Sequence, residues 1–188
     1  MARKSTAEKA DSRLRILTAA ADLIRQNGIE GTSVSEIMDR AGMTHGGFYR
    51  HFESKGQLVA EAISEAFRAG LDVFDDDAPG TAEQADTYVD QYLSEEHITE
   101  PQKGCPMPVL SPEVARGDEA WGEALSKGLS TASTKLAQGI DDMAQREALA
   151  LLSLLVGTIS LARGVGEGQL RNAILKASEE QIRLMMKK

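Results

Sequence analysis

The chain has few of the residues that build disulfide frameworks, metal clusters or β-sheets. Its 188 residues include one cysteine, Cys105, so no disulfide can form within the chain. Aromatic residues make up only 4% of the sequence, while Ala and Leu are frequent, which favours packed helices over sheets. The three histidines, His45, His51 and His97, are separated and belong to no Cys/His/Asp cluster. The sequence therefore predicts an all-α protein without a metal site or a cofactor.

Long apolar runs and a secretory signal are missing as well. The basic, polar residues 1–6 are not followed by an apolar signal core. The longest strongly apolar stretch, residues 148–156, is far too short to span a bilayer. Apolar residues still make up 41% of the chain, which is enough for a folded core. We therefore expect a soluble, cytoplasmic protein that does not contact a membrane.

Positive charge is scarce, and it is unevenly distributed. The net charge is −8, which argues against a protein that coats nucleic acid indiscriminately. Residues 1–56 contain nine Lys/Arg against seven Asp/Glu, whereas the remainder contains 12 against 22. Any contact with DNA phosphates is therefore expected in the first third of the chain.

The first third reads as four helices after a loose polar arm over residues 1–11. A stripe of Leu14, Leu17, Ala20, Ala21 and Ile24 predicts a helix from Ser12 to Asn27, which Gly28 ends. Ser33 and Glu36 form a capping box that begins a helix over residues 34–41, and Gly42 breaks it. Thr44 caps a short helix through Tyr49 or His51, and Ser54 caps a long helix to about Phe74. These signals predict helix, tight turn and short helix in the arrangement of a helix-turn-helix.

The remaining sequence predicts a larger helical body. Helices are expected over residues 81–94, from Ser111–Pro112, from Asp118 to about Ile140, over residues 144–164 and over residues 169–186, with irregular chain over 95–108. The helix over 144–164 is apolar nearly all round, so it must be covered on both sides. The total is nine helices and no strand.

The helix-turn-helix segment resembles a known family. Residues 12–58 are similar to the DNA-binding domain of the TetR family of bacterial transcriptional repressors. The matching positions are Arg15, Ile16, Leu17, Ala20, Ala21, Gly28, Thr32, Ser33, Ile37, Ala41, Gly42, Gly46, residues 48–52 and residues 54–58. The resemblance implies a three-helix DNA-binding domain over residues 1–53 and a helical ligand-binding and dimerisation domain over residues 54–188.

The resemblance also implies which residues contact DNA, and their chemistry agrees with it. The N-terminal side chains of a recognition helix reach base edges, and small residues allow its backbone to approach the duplex. Hydroxyl, imidazole and cationic groups at helix starts suit phosphates. The DNA-binding candidates are Ser33, Ser35, Thr44, His45, Gly46, Gly47, Tyr49, Arg50, His51 and Lys55. Phe48 and Phe52 are expected to face the core beneath, and Gly47 leaves base reading to fewer side chains.

The body is expected to form a two-fold dimer. One chain of this size offers too little cover for the apolar helix 144–164, and the resemblance implies that this helix and the helix 169–186 pair with their copies. A dimer would place two recognition helices roughly 34 Å apart on a near-palindromic operator. The alternative is that this helix is simply the centre of a monomer.

The resemblance further implies a ligand pocket in the middle helices, for a small-molecule inducer of unknown identity. The candidate lining residues are Phe67, Phe74, Tyr88, Tyr92, Cys105, Met107, Leu110 and Trp121. Cys105 precedes a predicted helix start, where the pKa of a thiol can be lowered and the thiol can react with oxidants or electrophiles. A small buried hydrophobe is the alternative for Cys105.

The predicted function is a DNA-binding transcriptional regulator, most simply a repressor released from its operator by a small molecule, an electrophile or an oxidant. No catalytic constellation is recognisable, so we expect no enzyme activity. Two other classes stay open at this point. One is a thiol-dependent catalyst that uses Cys105 with His97 as its base, and the other is a helical protein-interaction module that never touches DNA.

Overall fold

The computed structural model describes residues 6–75 and 77–187. Within these residues the chain forms nine α-helices and two 3₁₀ helices and contains no strand. The α-helices are α1 (Thr6–Asn27), α2 (Val34–Arg40), α3 (Lys55–Gly70), α4 (Ala82–Tyr92), α5 (Glu95–Thr99), α6 (Met107–Val114), α7 (Glu119–Gly139), α8 (Gln145–Val165) and α9 (Gln169–Met186); the 3₁₀ helices are His45–Arg50 and Pro101–Lys103. The predicted all-α class is confirmed.

Helix α1 is longer and differently rotated than the sequence pattern predicted. It begins at Thr6, so residues 6–11 are helical and not part of a loose arm, while residues 1–5 lie outside the described part. Ile16 is fully buried, whereas Leu14 is 53% exposed. The core-facing stripe therefore runs through Ile16, Ala20 and Ile24, because the packing against α3 selects this face of the helix.

Helix α3 joins the N-terminal helices to the body. It packs against both α1 and α7, and the Trp121 indole of α7 donates to the Gly56 carbonyl at the start of α3, 3.1 Å away. The helix ends at Gly70, before the predicted end at Phe74, although Leu71 and Phe74 remain buried. Any movement of α3 relative to α7 would therefore also move the N-terminal helices that pack on α3.

The segment between α4 and α7 was predicted incorrectly. Residues 95–108 are mostly ordered, because Ser94 caps α5 and a 3₁₀ helix follows. Helix α6 begins at Met107, four residues before the predicted start. Pro106 and Pro108 fit its first turn, where the missing N–H groups would have had no helical partner. These two prolines therefore lie at the start of a helix, where irregular chain was predicted.

Helix α8 is covered by the chain on one side only. Leu151, Leu152, Leu155 and Ile159 are buried, but Leu161 on the other side is 59% exposed. Among the described residues, α8 is the one helix long and apolar enough to cross a membrane by length and composition, and 39% of that stretch is buried. The predicted need for cover on both sides is thus not met within a single chain.

Candidate nucleic-acid interface and cavities of the body

The start of α2 is built by a capping box, as predicted. The Ser33 hydroxyl accepts from the Glu36 backbone N–H (3.2 Å), and the Glu36 carboxylate accepts from the Ser33 N–H (2.7 Å). Hydrogen bonds to the Glu36 carboxylate from the Ser33 side chain and then from the Ser33 backbone N–H, with a smaller contribution from the nearby Lys55 charge, lower the pKa of Glu36. Ser33 and Ser35 are both exposed. Both side chains are therefore accessible from outside the protein.

The turn after α2 is a Schellman motif centred on Gly42. The Met43 N–H donates to the Met38 carbonyl (2.9 Å) and the Gly42 N–H donates to the Asp39 carbonyl (3.0 Å). Gly42 has a φ of +69°, a conformation that L side chains rarely adopt. This turn directs the chain into the following 3₁₀ helix.

The 3₁₀ helix His45–Arg50 is anchored by one aromatic side chain. Phe48 is 1% exposed and stacks on the buried Phe52 with ring centroids 5.8 Å apart, as expected for the two core-facing aromatics. Tyr49 packs edge-on against Phe48 and remains 74% exposed. Arg50 is also exposed. The segment was expected as a short helix without a stated type, and it has the tighter 3₁₀ form, in which side chains three positions apart lie in line.

Most of the predicted DNA-contacting positions lie on the surface. Thr44, His45 and Gly46 are exposed, while Gly47 and His51 are partly buried. A Cβ atom added at Gly46 would meet nothing within 4 Å, and one at Gly47 would make only ordinary contacts. Neither glycine has a positive φ. Nothing inside the protein therefore requires glycine at these two positions.

Lys55 has a structural contact that the sequence did not indicate. Its ammonium group donates to the Ile29 carbonyl, 3.0 Å away, and it is partly buried. Through this hydrogen bond the start of α3 lies beside the turn that precedes α2. The ammonium has three donor protons, so one hydrogen bond leaves it able to contact a phosphate.

Two further residues connect the body to the N-terminal helices, and sequence reasoning missed both. The Glu113 carboxylate of α6 accepts from the backbone N–H groups of Ile29 (2.8 Å) and Glu30 (2.9 Å). The buried Arg25 of α1 donates to the Gly104 carbonyl, 3.0 Å away. These pairings are 84, 83 and 79 residues apart in sequence, so no local pattern could have indicated them.

The eight predicted pocket residues do not share one cavity. Tyr88, Tyr92 and Cys105 line a cavity of about 260 Å³ beside His97. Phe67 and Phe74 line a second cavity of about 370 Å³ between α3 and α7. Met107 and Leu110 are buried core residues, and Trp121 is partly buried against α3. None of these three lines either cavity.

The surroundings of Cys105 favour the alternative of a small buried residue over an activated thiol. Burial raises the pKa of Cys105 to about 11, and this outweighs the hydrogen bonds and the Arg163 and Arg25 charges that favour a thiolate. Burial also lowers the pKa of His97 to about 4. The His97 Nδ1 is hydrogen-bonded to the Tyr92 carbonyl (2.6 Å), and its Nε2 accepts from the Cys105 backbone N–H (3.1 Å). His97 therefore has no nitrogen left to act as a base for the thiol.

Comparison of the sequence with known proteins points to one family. The family model described as "Bacterial regulatory proteins, tetR family" matches residues 16–62. An HTH-type transcriptional regulator of Mycobacterium tuberculosis, described as uncharacterised, is 30% identical over 193 residues, which cover 91% of this chain and 98% of that protein. The regulator AcrR of Shigella flexneri is 43% identical over 61 residues, or 32% of this chain.

Solved structures share the fold over nearly the whole chain. The reduced form of Escherichia coli NemR superimposes with a TM-score of 0.71 at 20% identity and covers 90% of this chain and 96% of NemR. A transcriptional regulator of Streptomyces coelicolor has a TM-score of 0.65 at 26% identity and covers 94% of this chain and 99% of its own. The similarity thus extends beyond the N-terminal helices to the body.

Proposed function

The chain belongs to the TetR family of bacterial regulatory proteins, and we propose that it represses transcription from a near-palindromic operator until a small molecule binds its body. It is a DNA-binding transcriptional regulator and not an enzyme. Regulators of this family bind DNA operators and act as dimers.

The proposed recognition segment consists of the 3₁₀ helix His45–Arg50 and the capping residues on either side of it, within a DNA-binding domain over residues 1–53. The observation that carries it is the exposure of Tyr49 and Arg50 directly above the buried Phe48. Thr44 and His45 open the helix and face base edges, while Gly46 and Gly47 allow close approach. The DNA phosphates on either side of this contact are bound by six polar or charged residues: Ser33, Ser35, Tyr49, Arg50, His51 and Lys55.

The proposed dimer surface is formed by α8 and α9, within a body domain over residues 54–188. Five of the seven exposed large apolar side chains of the described residues lie on these two helices: Leu149, Leu161, Val165, Leu170 and Leu184. A concentration of exposed large apolar side chains on two adjacent helices is typical of an interface. Its burial against a second copy accounts for a membrane-like composition of α8 in a cytoplasmic protein.

The proposed control passes through α3. This helix contacts both α1 and α7, and Glu113 and Arg25 tie α6 and the preceding turn to the N-terminal helices. A ligand that shifts α3 relative to α7 would change the distance between the recognition segments of the two chains in the dimer and weaken binding to the operator. The raised pKa of Cys105 favours a reversibly bound ligand over an oxidant or electrophile as the inducer.

The proposal is tested by selecting duplexes from a random library with the full-length protein. We expect a near-palindromic site bound by two chains, with an affinity that falls steeply as salt concentration rises. Arg50→Ala should weaken binding about tenfold, whereas Arg116→Ala, an exposed arginine of the body, should leave it unchanged.

Three results would contradict the proposal. The first is the absence of any enriched site, and the second is binding of one chain per duplex. The third is equal loss of affinity in the Arg50→Ala and Arg116→Ala variants, since this would indicate nonspecific attraction by surface charge. Circular dichroism of both variants verifies that they fold.

A further inference from the structure

The cavity between α3 and α7 differs from the other cavities in size and lining. Its volume of about 370 Å³ falls in the range typical of small-molecule sites, roughly 300–1,000 Å³. The cavity beside His97, at about 260 Å³, is smaller and has Asp72 and Glu96 in its lining. A third depression along α7, about 720 Å³, is wide open and is lined mainly by polar and acidic residues. The α3–α7 cavity is therefore the strongest candidate for a bound ligand.

The floor of this cavity is apolar. This floor is formed by three buried side chains of α3 and the turn that follows it: Phe67, Leu71 and Phe74. Opposite them, Gly128 of α7 lies so close that an added Cβ would be 2.2 Å from the Phe67 ring. The two helices thus touch at Gly128 and leave an apolar space alongside this contact, which suits an alkyl or aromatic body.

The rim of the same cavity is cationic. Arg68, Lys127 and Lys135 line it together with the hydroxyl-bearing Ser64 and Thr131, and no acidic residue is in the lining. This is unusual for a chain whose net charge is −8. Arg68 is paired with Glu65, and Lys135 donates to the Asp75 and Ala78 carbonyls. The Lys127 ammonium makes no hydrogen bond or ion pair with another described residue, so its donor groups are available to bind an anion.

We propose that the α3–α7 cavity binds an apolar acid as its anion, with an alkyl or aromatic body on the Phe67–Leu71–Phe74 floor and its acidic head at Lys127. Arg68 and Lys135 contribute long-range attraction while keeping their own partners. Binding itself is independent of DNA, but the assignment of this ligand class as the inducer rests on the proposed repressor function.

The position of the cavity explains how such a ligand would act. Its walls are the facing sides of α3 and α7, and α3 leads directly to the Ser54 cap next to the 3₁₀ helix. The contact between Trp121 and Gly56 holds the other end of the same pair of helices. A ligand inserted beside Gly128 would therefore change the angle between α3 and α7, and the N-terminal helices that pack on α3 would turn with it.

Isothermal titration of the full-length protein with decanoate tests the binding. Decanol has the same chain without the charge, and decyltrimethylammonium reverses the charge. We expect decanoate to bind, decanol to bind about fivefold or more weakly, and decyltrimethylammonium not to bind. Decylphosphonate distinguishes a requirement for a carboxylate from a requirement for negative charge, since both acids bind if only charge matters.

Substitutions locate the binding site. Lys127→Gln should weaken decanoate binding about fivefold and leave decanol unchanged, whereas Lys176→Gln, an exposed lysine of α9, should change neither. Thr131→Phe should fill the cavity from its exposed rim and abolish both. Equal binding of decanoate and decanol would overturn the anionic assignment. Retention of decanoate by both cavity variants, or no binding to the wild type, would overturn the site.

A separate measurement tests the role as inducer. Decanoate is added to the wild-type protein bound to its selected duplex, and release is followed by fluorescence anisotropy. Release that disappears in Thr131→Phe supports regulation through this cavity. Decanoate binding without release overturns the inducer assignment alone. Binding of decanoate by a protein that selects no duplex instead contradicts the proposed repressor function and leaves the cavity assignment standing.

Discussion

The buried His97 should make the stability of this protein depend on pH. The ring is 6% exposed and lies between two backbone groups. It donates through Nδ1 to the Tyr92 carbonyl and accepts through Nε2 from the Cys105 N–H, an arrangement that only the neutral ring can make. Protonation would break the bond to Cys105 and place a charge near Arg163 and Arg25, both of which lower the pKa of His97 in addition to burial.

The sign and size of the effect follow from the two pKa values. The folded-state pKa of about 4 lies below the unfolded value of 6.5, so the folded state favours the neutral ring. The contribution to stability is fully present above pH 6.5 and is lost as the pH falls towards 4. It amounts to about 3 kcal/mol per chain in total, of which about 2.5 kcal/mol is lost by pH 4.5.

Urea unfolding of wild type and His97→Gln at pH 7.5 and 4.5 measures this contribution, at one protein concentration because the dimer couples stability to concentration. The difference in unfolding free energy between the two proteins should shrink by about 2.5 kcal/mol at the lower pH. His45→Gln, which removes an exposed histidine, should follow wild type. A difference between wild type and His97→Gln that does not change with pH would refute the reasoning.

Three pairs of substitutions test separate parts of the structure. Gly46→Ala should leave the unfolding free energy unchanged or raise it by up to about 1 kcal/mol, yet weaken binding to the selected duplex roughly tenfold. Gly42→Ala, at a φ of +69°, should lower the free energy of thermal unfolding by about 1 kcal/mol. Unchanged duplex affinity in Gly46→Ala would contradict close backbone approach. Leu161→Glu should give a monomer by light scattering while Leu14→Glu, at an equally exposed leucine, stays dimeric; dimers in both would place the interface elsewhere. Glu113→Ala should lower the free energy of urea unfolding by about 1–2 kcal/mol, because two backbone N–H groups lose their acceptor. Glu123→Ala is the control and should change this free energy little. If the two variants change it equally little, the Glu113 contact contributes little to stability.

Most helix starts that a side chain caps were predicted, although the start of α5, which Ser94 caps, was missed. Ser33, Ser54 and Asp118 each accept from a backbone N–H at the first turn of α2, α3 and α7, as their spacing predicted. These hydrogen bonds join residues two or three positions apart, so they are written into a short stretch of sequence. The start of α6 was missed because Pro106 offers no side-chain cap and proline is equally typical of breaks.

The candidate site was predictable in part, for the same reason. The exposure of Tyr49 and the burial of Phe48 follow from neighbouring residues on one short helix. The division of Phe67 and Tyr88 between two cavities does not, because it depends on how α3, α4 and α7 pack. The choice between an activated thiol and a small buried residue stayed open for Cys105, because proximity to a helix start is local, whereas the burial that raises its pKa depends on how the helices pack.

The amino-acid sequence by itself determined the helical class, the helix-turn-helix and the family, since capping, periodicity and the motif over residues 12–58 act over short distances along the chain. Only the tertiary structure decided which face of α8 stays exposed, which lysines line the cavity between α3 and α7, and which carboxylate joins the body to the turn before α2. Those outcomes depend on contacts between residues as many as 84 positions apart, and the free energy of such contacts exists only after the helices have packed.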